Sequence, residues 1–248
     1  MNSKVDPFAH HPELREKIAD PLQSFFRDFN ALEVFKKWPE LHWVIEKLYT
    51  EEFRTASRNE ILSNHRDRDL WIFAYGSLMW DPAFLFNEVR RAKVPDHARR
   101  FILKDVWGGR GTSELPGLMA ALDEGDGCDG LIYRISSDTI EAETANLWAR
   151  EMVAPGYVPR FVNAQVGDTS VQALTFVANY EAESIHPNLT RDEQLCYLKT
   201  GTGVLGTSME YLENIVCQFS VLGIVDQECS ALLQEAKALD ADGPTGFS

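Results

Sequence analysis

The feature that most constrains this chain is a change of apolar rhythm at Trp71. From there, Trp71-Ile-Phe-Ala-Tyr75, Arg99-Arg-Phe-Ile-Leu-Lys104, Gly117-Leu-Met-Ala-Ala-Leu122 and Gly130-Leu-Ile-Tyr-Arg-Ile135 are short apolar or aromatic runs punctuated by Gly or Pro. Four such strands in about 65 residues, with no long amphipathic helix between them, favour a mixed or antiparallel sheet. A doubly wound parallel sheet would need a helical crossover between each pair. Two more strands are expected at 157–166 and 171–178. A helix is expected from Ser137 or Asp138 to about Met152, opened by the capping-box pattern Asp138-Thr-Ile-Glu141 and stopped by Pro155-Gly156. Thr190-x-x-Glu193 and Thr207-x-x-Glu210 match the same box, and a last helix is expected over 227–239.

Before Trp71 the rhythm is helical. Leu32, Phe35, Trp38, Leu41, Val44, Ile45, Leu48 and Tyr49 recur three and four apart, broken only at Pro39. Two or three helices and a polar linker over 57–69 are expected there. The reading is a helical extension at 1–69, one α+β domain at 70–225 on which it packs, and a C-terminal helix and tail at 226–248. No repeat or low-complexity segment interrupts this order.

Charge narrows the partners. The 24 Lys and Arg against 38 Asp and Glu leave a net −14, which disfavours duplex nucleic acid or an anionic lipid surface. Ten of the 13 cations after residue 70 lie between Arg90 and Arg160, so an anionic small molecule could be held along that stretch. The polar first 17 residues lack the apolar run of a secretory signal, and no 18-residue apolar segment occurs, so a cytoplasmic protein is expected. Cys128, Cys196, Cys217 and Cys229 form no CxxC pair and have no His at zinc-ligand spacing; buried thiols in a reducing compartment are the plain expectation.

Several catalytic signatures can be set aside. Gly201-Thr-Gly-Val-Leu-Gly206 fits GxGxxG, but it follows a helix, whereas a dinucleotide fingerprint must follow a strand. No GxSxG elbow, HExxH, Walker loop or EF-hand loop occurs. Two features remain. The strand 71–75 runs into a tight turn at Gly76-Ser77, whose backbone N–H groups and hydroxyl could hold a carboxylate, although an ordinary turn would look the same. Arg150-Glu151 ends a helix beside Met152, Val153, Ala154 and Pro155; a carboxylate at the negative end of a helix with apolar neighbours has a raised pKa, as a general base near neutrality requires. A surface ion pair is the ordinary alternative.

In combination, Tyr75-Gly-Ser-Leu78, Arg110-Gly-Thr112 with Pro116-Gly117, Leu147-Trp-Ala-Arg-Glu-Met152 and the stretch from Gly203 to Tyr211 resemble, in order, the ChaC family of γ-glutamylcyclotransferases, bacterial branch. The likeness runs from about Trp71 to Phe219. It implies a small mixed β-barrel flanked by helices, and cleavage of glutathione to 5-oxoproline and Cys-Gly, a lyase-type reaction, without metal or organic cofactor. It assigns Tyr75, Gly76, Ser77 and Leu78, with Met79 and Trp80 continuing the loop, to the γ-glutamyl group, and Glu151 to proton transfer. Either Arg99 or Arg110 would pair with a substrate carboxylate, and Tyr211 would be a pocket wall. The chain departs from the family where its C-terminal element usually reads Gly-Pro-x-Gly-x-Asn: Val204 stands for the proline and Ser208 for the asparagine. Two alternatives stay beside this reading: another γ-glutamyl amine or peptide as substrate, and a regulatory binding protein without activity. Oligomeric state and the purpose of 1–70 are left open.

Overall fold

A computed structural model describes residues 6–241, with side chains to Leu239. The described chain divides into two compact units, each discontinuous in sequence: 6–100 with 121–185, and 101–120 with 186–241.

The first unit is built on a closed five-stranded barrel. Its strands are β1 (Leu70–Ala74), β2 (Glu88–Val94), β5 (Cys128–Ile135), β6 (Tyr157–Val166) and β7 (Thr169–Ala178), ordered β1-β5-β2-β6-β7. β1 and β5 pair antiparallel from Leu70↔Ile135 to Ala74↔Leu131, and β6 and β7 form a ten-pair hairpin. Closure comes from a parallel pairing of β1 with β7 at Trp71↔Ala173, so the mixed barrel implied by the resemblance is the observed architecture. Beyond β7 the sheet continues through β4 (Gly117–Glu124) to β3 (His97–Asp105), and these two strands carry residues of both units. β2 was not expected. Its Glu88-Val-Arg-Arg-Ala-Lys-Val94 alternates charged with apolar residues, burying Val89, Ala92 and Val94, and so lacks the continuous apolar run of its neighbours.

Helix α3 (Ile140–Glu151) covers this barrel, with Trp148 buried edge-on against Phe176, ring centroids 5.3 Å apart. The expected capping box at Asp138 is not formed: Asp138 lies inside a 3-10 turn, Ser137–Thr139, and α3 starts behind Thr139 with no side-chain cap.

The N-terminal extension belongs to this unit, and little of it is α-helix. It holds a 3-10 turn at Pro12–Leu14, α1 (Ala31–Phe35), a 3-10 helix at Pro39–Lys47 and α2 (Glu51–Ile61). Pro39 opens the second 3-10 helix, and the linker expected from residue 57 begins as the last turns of α2. Leu14 and Leu62 are fully buried, and Trp148 Nε1 reaches Ser57 Oγ at 3.3 Å.

The second unit contains α4 (Arg191–Thr200), a two-residue hairpin of β8 (Thr202–Gly203) and β9 (Gly206–Thr207), α5 (Ser208–Leu222) and α6 (Gln227–Ala241). Thr190 with Glu193 and Thr207 with Glu210 form both predicted capping boxes in full, and α5 stops at Gly223 in the left-handed conformation. All four cysteines are thiols, but Cys196 and Cys217 are exposed where burial was expected. The tail expected after residue 241 lies outside the described residues.

Candidate active site

The Tyr75-Gly-Ser-Leu78 segment leaves β1 and folds at once into a 3-10 turn, Ser77–Met79. The turn consumes the N–H groups of Met79, Trp80 and Asp81, leaving those of Gly76, Ser77 and Leu78 outside its own hydrogen bonds. Its carbonyls are held from several sides. Arg99, 5% exposed, donates from Nε to the Tyr75 carbonyl and from Nη2 to the Asp129 carbonyl, both at 2.6 Å. The Tyr75 hydroxyl donates to the Phe176 carbonyl at 2.7 Å. The single hydroxyl proton of Tyr133 is shared between the carbonyls of Leu78 and Met79, at 3.0 and 3.2 Å. Burial pushes the Tyr133 phenol well above its ordinary value, so it remains a donor. Leu78 and Met79 are buried, while Trp80 is half-buried.

The base candidate sits against this loop through its neighbour. Glu151 is the last residue of α3, its side chain 16% exposed, and Arg150 Nε lies 3.0 Å from its Oε1. The same guanidinium donates from Nη2 to Ser77 Oγ at 2.8 Å and from Nη1 to the Asp81 carbonyl. One Arg150 side chain, 3% exposed, therefore ties the end of α3 to both ends of the loop turn. Burial pushes the Glu151 carboxyl above its ordinary value, and the Arg150 charge and hydrogen bond oppose but do not cancel this. That is the direction the sequence predicted. Asp81 Oδ1 is buried without a hydrogen-bond partner, 3.9 Å from Arg150 Nη1. Sequence reasoning missed Asp81, Tyr133 and the linking role of Arg150, none of which stands out by spacing.

In the second unit, Tyr211 lies on α5 and is 4% exposed, with the Arg110 guanidinium 5.0 Å above its ring and Phe101 at its edge. Arg110 Nη1 also donates to the Thr207 carbonyl at 2.9 Å. The GxGxxG stretch is the β8–β9 hairpin docked on the loop at 106–111: Val204 and Leu205 donate to the carbonyls of Gly108 and Gly109, each at 2.8 Å. Glycine at 203 serves backbone approach, since a Cβ there would lie 2.4 Å from the Gly109 oxygen. Asp105 anchors this loop by accepting the N–H groups of Trp107 and Arg110.

A separate cleft of about 490 Å³ in the first unit lies over Leu122 and Val177, rimmed by Arg100, Asp123, Arg160 and Tyr180; neither Glu151 nor residues 75–81 line it. Among the described residues, no group of three or more His, Cys, Asp or Glu is placed to hold a metal ion. No helix among them is long and apolar enough to cross a membrane.

Comparison with known proteins settles the family. The family model described as ChaC-like protein matches residues 70–239. The chain belongs to the ChaC family. It is 34% identical over 201 residues to a glutathione-specific γ-glutamylcyclotransferase of Escherichia coli (strain K12), covering 79% of this chain and 85% of that one. It is 29% identical over 148 residues to the human glutathione-specific γ-glutamylcyclotransferase 1, covering 58% and 66% of the two chains. The crystal structure of a yeast γ-glutamyl cyclotransferase specific to glutathione superposes with a TM-score of 0.63 at 18% identity, covering 69% of this chain and 96% of that one, which places the two in one fold.

Proposed function

We propose that this chain is a γ-glutamylcyclotransferase that cleaves glutathione to 5-oxoproline and Cys-Gly, with Glu151 as the group that moves protons. The observation that carries the reading is the partly desolvated carboxylate fixed through one guanidinium to the Tyr75-Gly-Ser-Leu78 loop. The similarity to glutathione-specific relatives supports the substrate. A cytoplasmic site of action fits the four thiols.

The reaction needs no enzyme nucleophile. The substrate's α-amine attacks its own γ-carbonyl carbon, a five-membered lactam closes, and the bond to the cysteinyl nitrogen breaks. Of the three protons on the starting α-ammonium, one stays on the lactam nitrogen and two end on the departing cysteinyl amine. Glu151 relays both in turn: it takes one from the ammonium so that the nitrogen can attack and gives it to the leaving nitrogen, then passes on the second as the attacking nitrogen becomes the lactam N–H. Its raised pKa helps the first transfer, since a carboxylate titrating closer to neutrality is a stronger base toward the ammonium.

The loop supplies position. The N–H groups of Gly76, Ser77 and Leu78 hold substrate oxygens, and the Ser77 hydroxyl, already accepting from Arg150, has its own proton to donate. Arg99 is a positioning residue in this reading, because its guanidinium serves the Tyr75 and Asp129 carbonyls. Tyr211 remains the proposed pocket-wall residue. Holding the γ-glutamyl chain in attack geometry is worth about 7 kcal/mol or more, and general-base help about 10²–10⁴-fold.

Glu151→Gln tests the assignment. Chelator-treated protein incubated with glutathione should release 5-oxoproline and Cys-Gly in equal amounts, read by mass spectrometry. The variant should bind glutathione as the wild type does while kcat falls by about 10²–10⁴-fold. Near-normal turnover in the variant would remove Glu151 from the mechanism. Wild-type release of 5-oxoproline from other γ-glutamyl amines but not from glutathione would change the substrate.

A further inference from the structure

We propose that the segment preceding the family core is part of the catalytic apparatus, with Phe26 a positioning residue that fixes Arg150 and, through it, Glu151. The inference rests on the reading of Glu151 given above. The edge of the Arg150 guanidinium is occupied by Glu151, Ser77 and Asp81, and such a planar cation can still rock about that edge unless its faces are covered. Phe26 covers one face, its ring centroid 4.1 Å from the Arg150 Cζ. Water is thereby kept off that face of the charge that orients the base.

Phe26 is itself fixed. Its N–H donates to Ser24 Oγ at 3.0 Å, and the chain turns sharply just beyond it, at Asp28 in the left-handed conformation. Phe25 and Phe29 meet its ring at 5.2 and 5.4 Å. The next residue grips the same helix: Arg27 binds the buried Glu143 carboxylate through Nη1 at 2.5 Å and Nη2 at 3.1 Å. Glu143 and Arg150 are seven residues apart, two turns along one face of α3. The extension also touches both segments that flank the base: the Ala19 N–H donates to the Trp80 carbonyl at 2.8 Å, and the Tyr49 N–H to the Val153 carbonyl at 2.9 Å. Loop and helix end are thus held in one register by residues outside the 70–239 family match.

The test compares Phe26→Ala, Phe26→Leu and Phe26→Tyr in the full chain, with Glu151→Gln alongside. Loss of the aromatic face should lower kcat about tenfold in the Ala and Leu variants with KM within about twofold, and Tyr should restore it. Phenylglyoxal labelling followed by peptide mass spectrometry should mark Arg150 in the Ala and Leu variants and spare it in the wild type and the Tyr variant. Wild-type kcat in Phe26→Ala or Phe26→Leu would overturn the proposal, as would an effect confined to KM or an Arg150 equally protected in all variants. Should Phe26→Ala not fold, the Leu and Tyr pair decides. Full turnover in Glu151→Gln would instead mark failure of the base assignment, while the labelling still reports on the Phe26–Arg150 contact.

Discussion

At the scale of single residues, Glu151 is a carboxylate pulled two ways, with burial disfavouring its charge and Arg150 favouring it. Burial is the larger influence, and the consequence reaches stability as well as chemistry. An unfolded Glu151 titrates near 4.5 and the folded one higher, so between those values the folded state binds more protons. Stability contributed by this group is therefore present below about pH 4.5 and declines as pH rises through the window above it. Glu151→Gln, which cannot ionise, should escape that decline. Its Tm relative to wild type should be more favourable at pH 7 than at pH 4, as thermal unfolding across this range would show; an unchanged or reversed difference would mean that Arg150 outweighs burial. The arginines illustrate how far sequence reaches at this scale. Arg99, a candidate for a substrate carboxylate by its place in a motif, also donates to the carbonyls of Tyr75 and Asp129. A motif gives residue type and order, but the direction of a guanidinium is set by which acceptors the fold brings near it.

At the scale of elements, local rules worked where the signal was local. Both threonine capping boxes read from spacing are formed, because donor and acceptor lie within one helical turn. The third is not formed because Asp138 lies inside the 3-10 turn that precedes α3, and Thr139 stands at the N-cap with no side-chain bond. The β8–β9 hairpin shows how a glycine pattern that also matches nucleotide-binding turns can serve backbone packing. Val204, where the family usually has proline, donates its N–H to Gly108, a bond proline cannot make. Gly203→Ala should break this docking, since the new Cβ would fall 2.4 and 2.5 Å from the Gly109 and Gly108 oxygens, both backbone atoms with little freedom to yield. Two backbone hydrogen bonds of about 1 kcal/mol each are at stake, so a loss of about 2 kcal/mol is expected in denaturant unfolding. A midpoint equal to wild type would show that the hairpin carries no such constraint.

At the scale of the whole molecule, the extension at 6–69 is structural tissue of the first unit. Glu143 is 3% exposed on its side chain and depends on Arg27 for charge compensation, 116 residues away in sequence. Arg27→Met should cost about 3 kcal/mol or more, because an uncompensated buried carboxylate remains. Arg27→Met with Glu143→Gln should recover much of that loss, and equal stability of the single variant and wild type would contradict the buried-pair argument. Legible in the sequence was whatever has a short period or a fixed order: six of the strands after Trp71 but not β2 or the β8–β9 pair, the two helices opened by Thr190 and Thr207, the barrel class and the family implied by its motifs, and a glutamate ending a helix among apolar neighbours. How the barrel closes, at Trp71 against Ala173, and which groups meet Arg150 follow from long-range packing. Periodicity reports the face each residue turns to its neighbours a few positions away. The meeting of Phe26, Ser77, Asp81 and Glu151 on one guanidinium depends on how distant elements pack, and no local pattern records it.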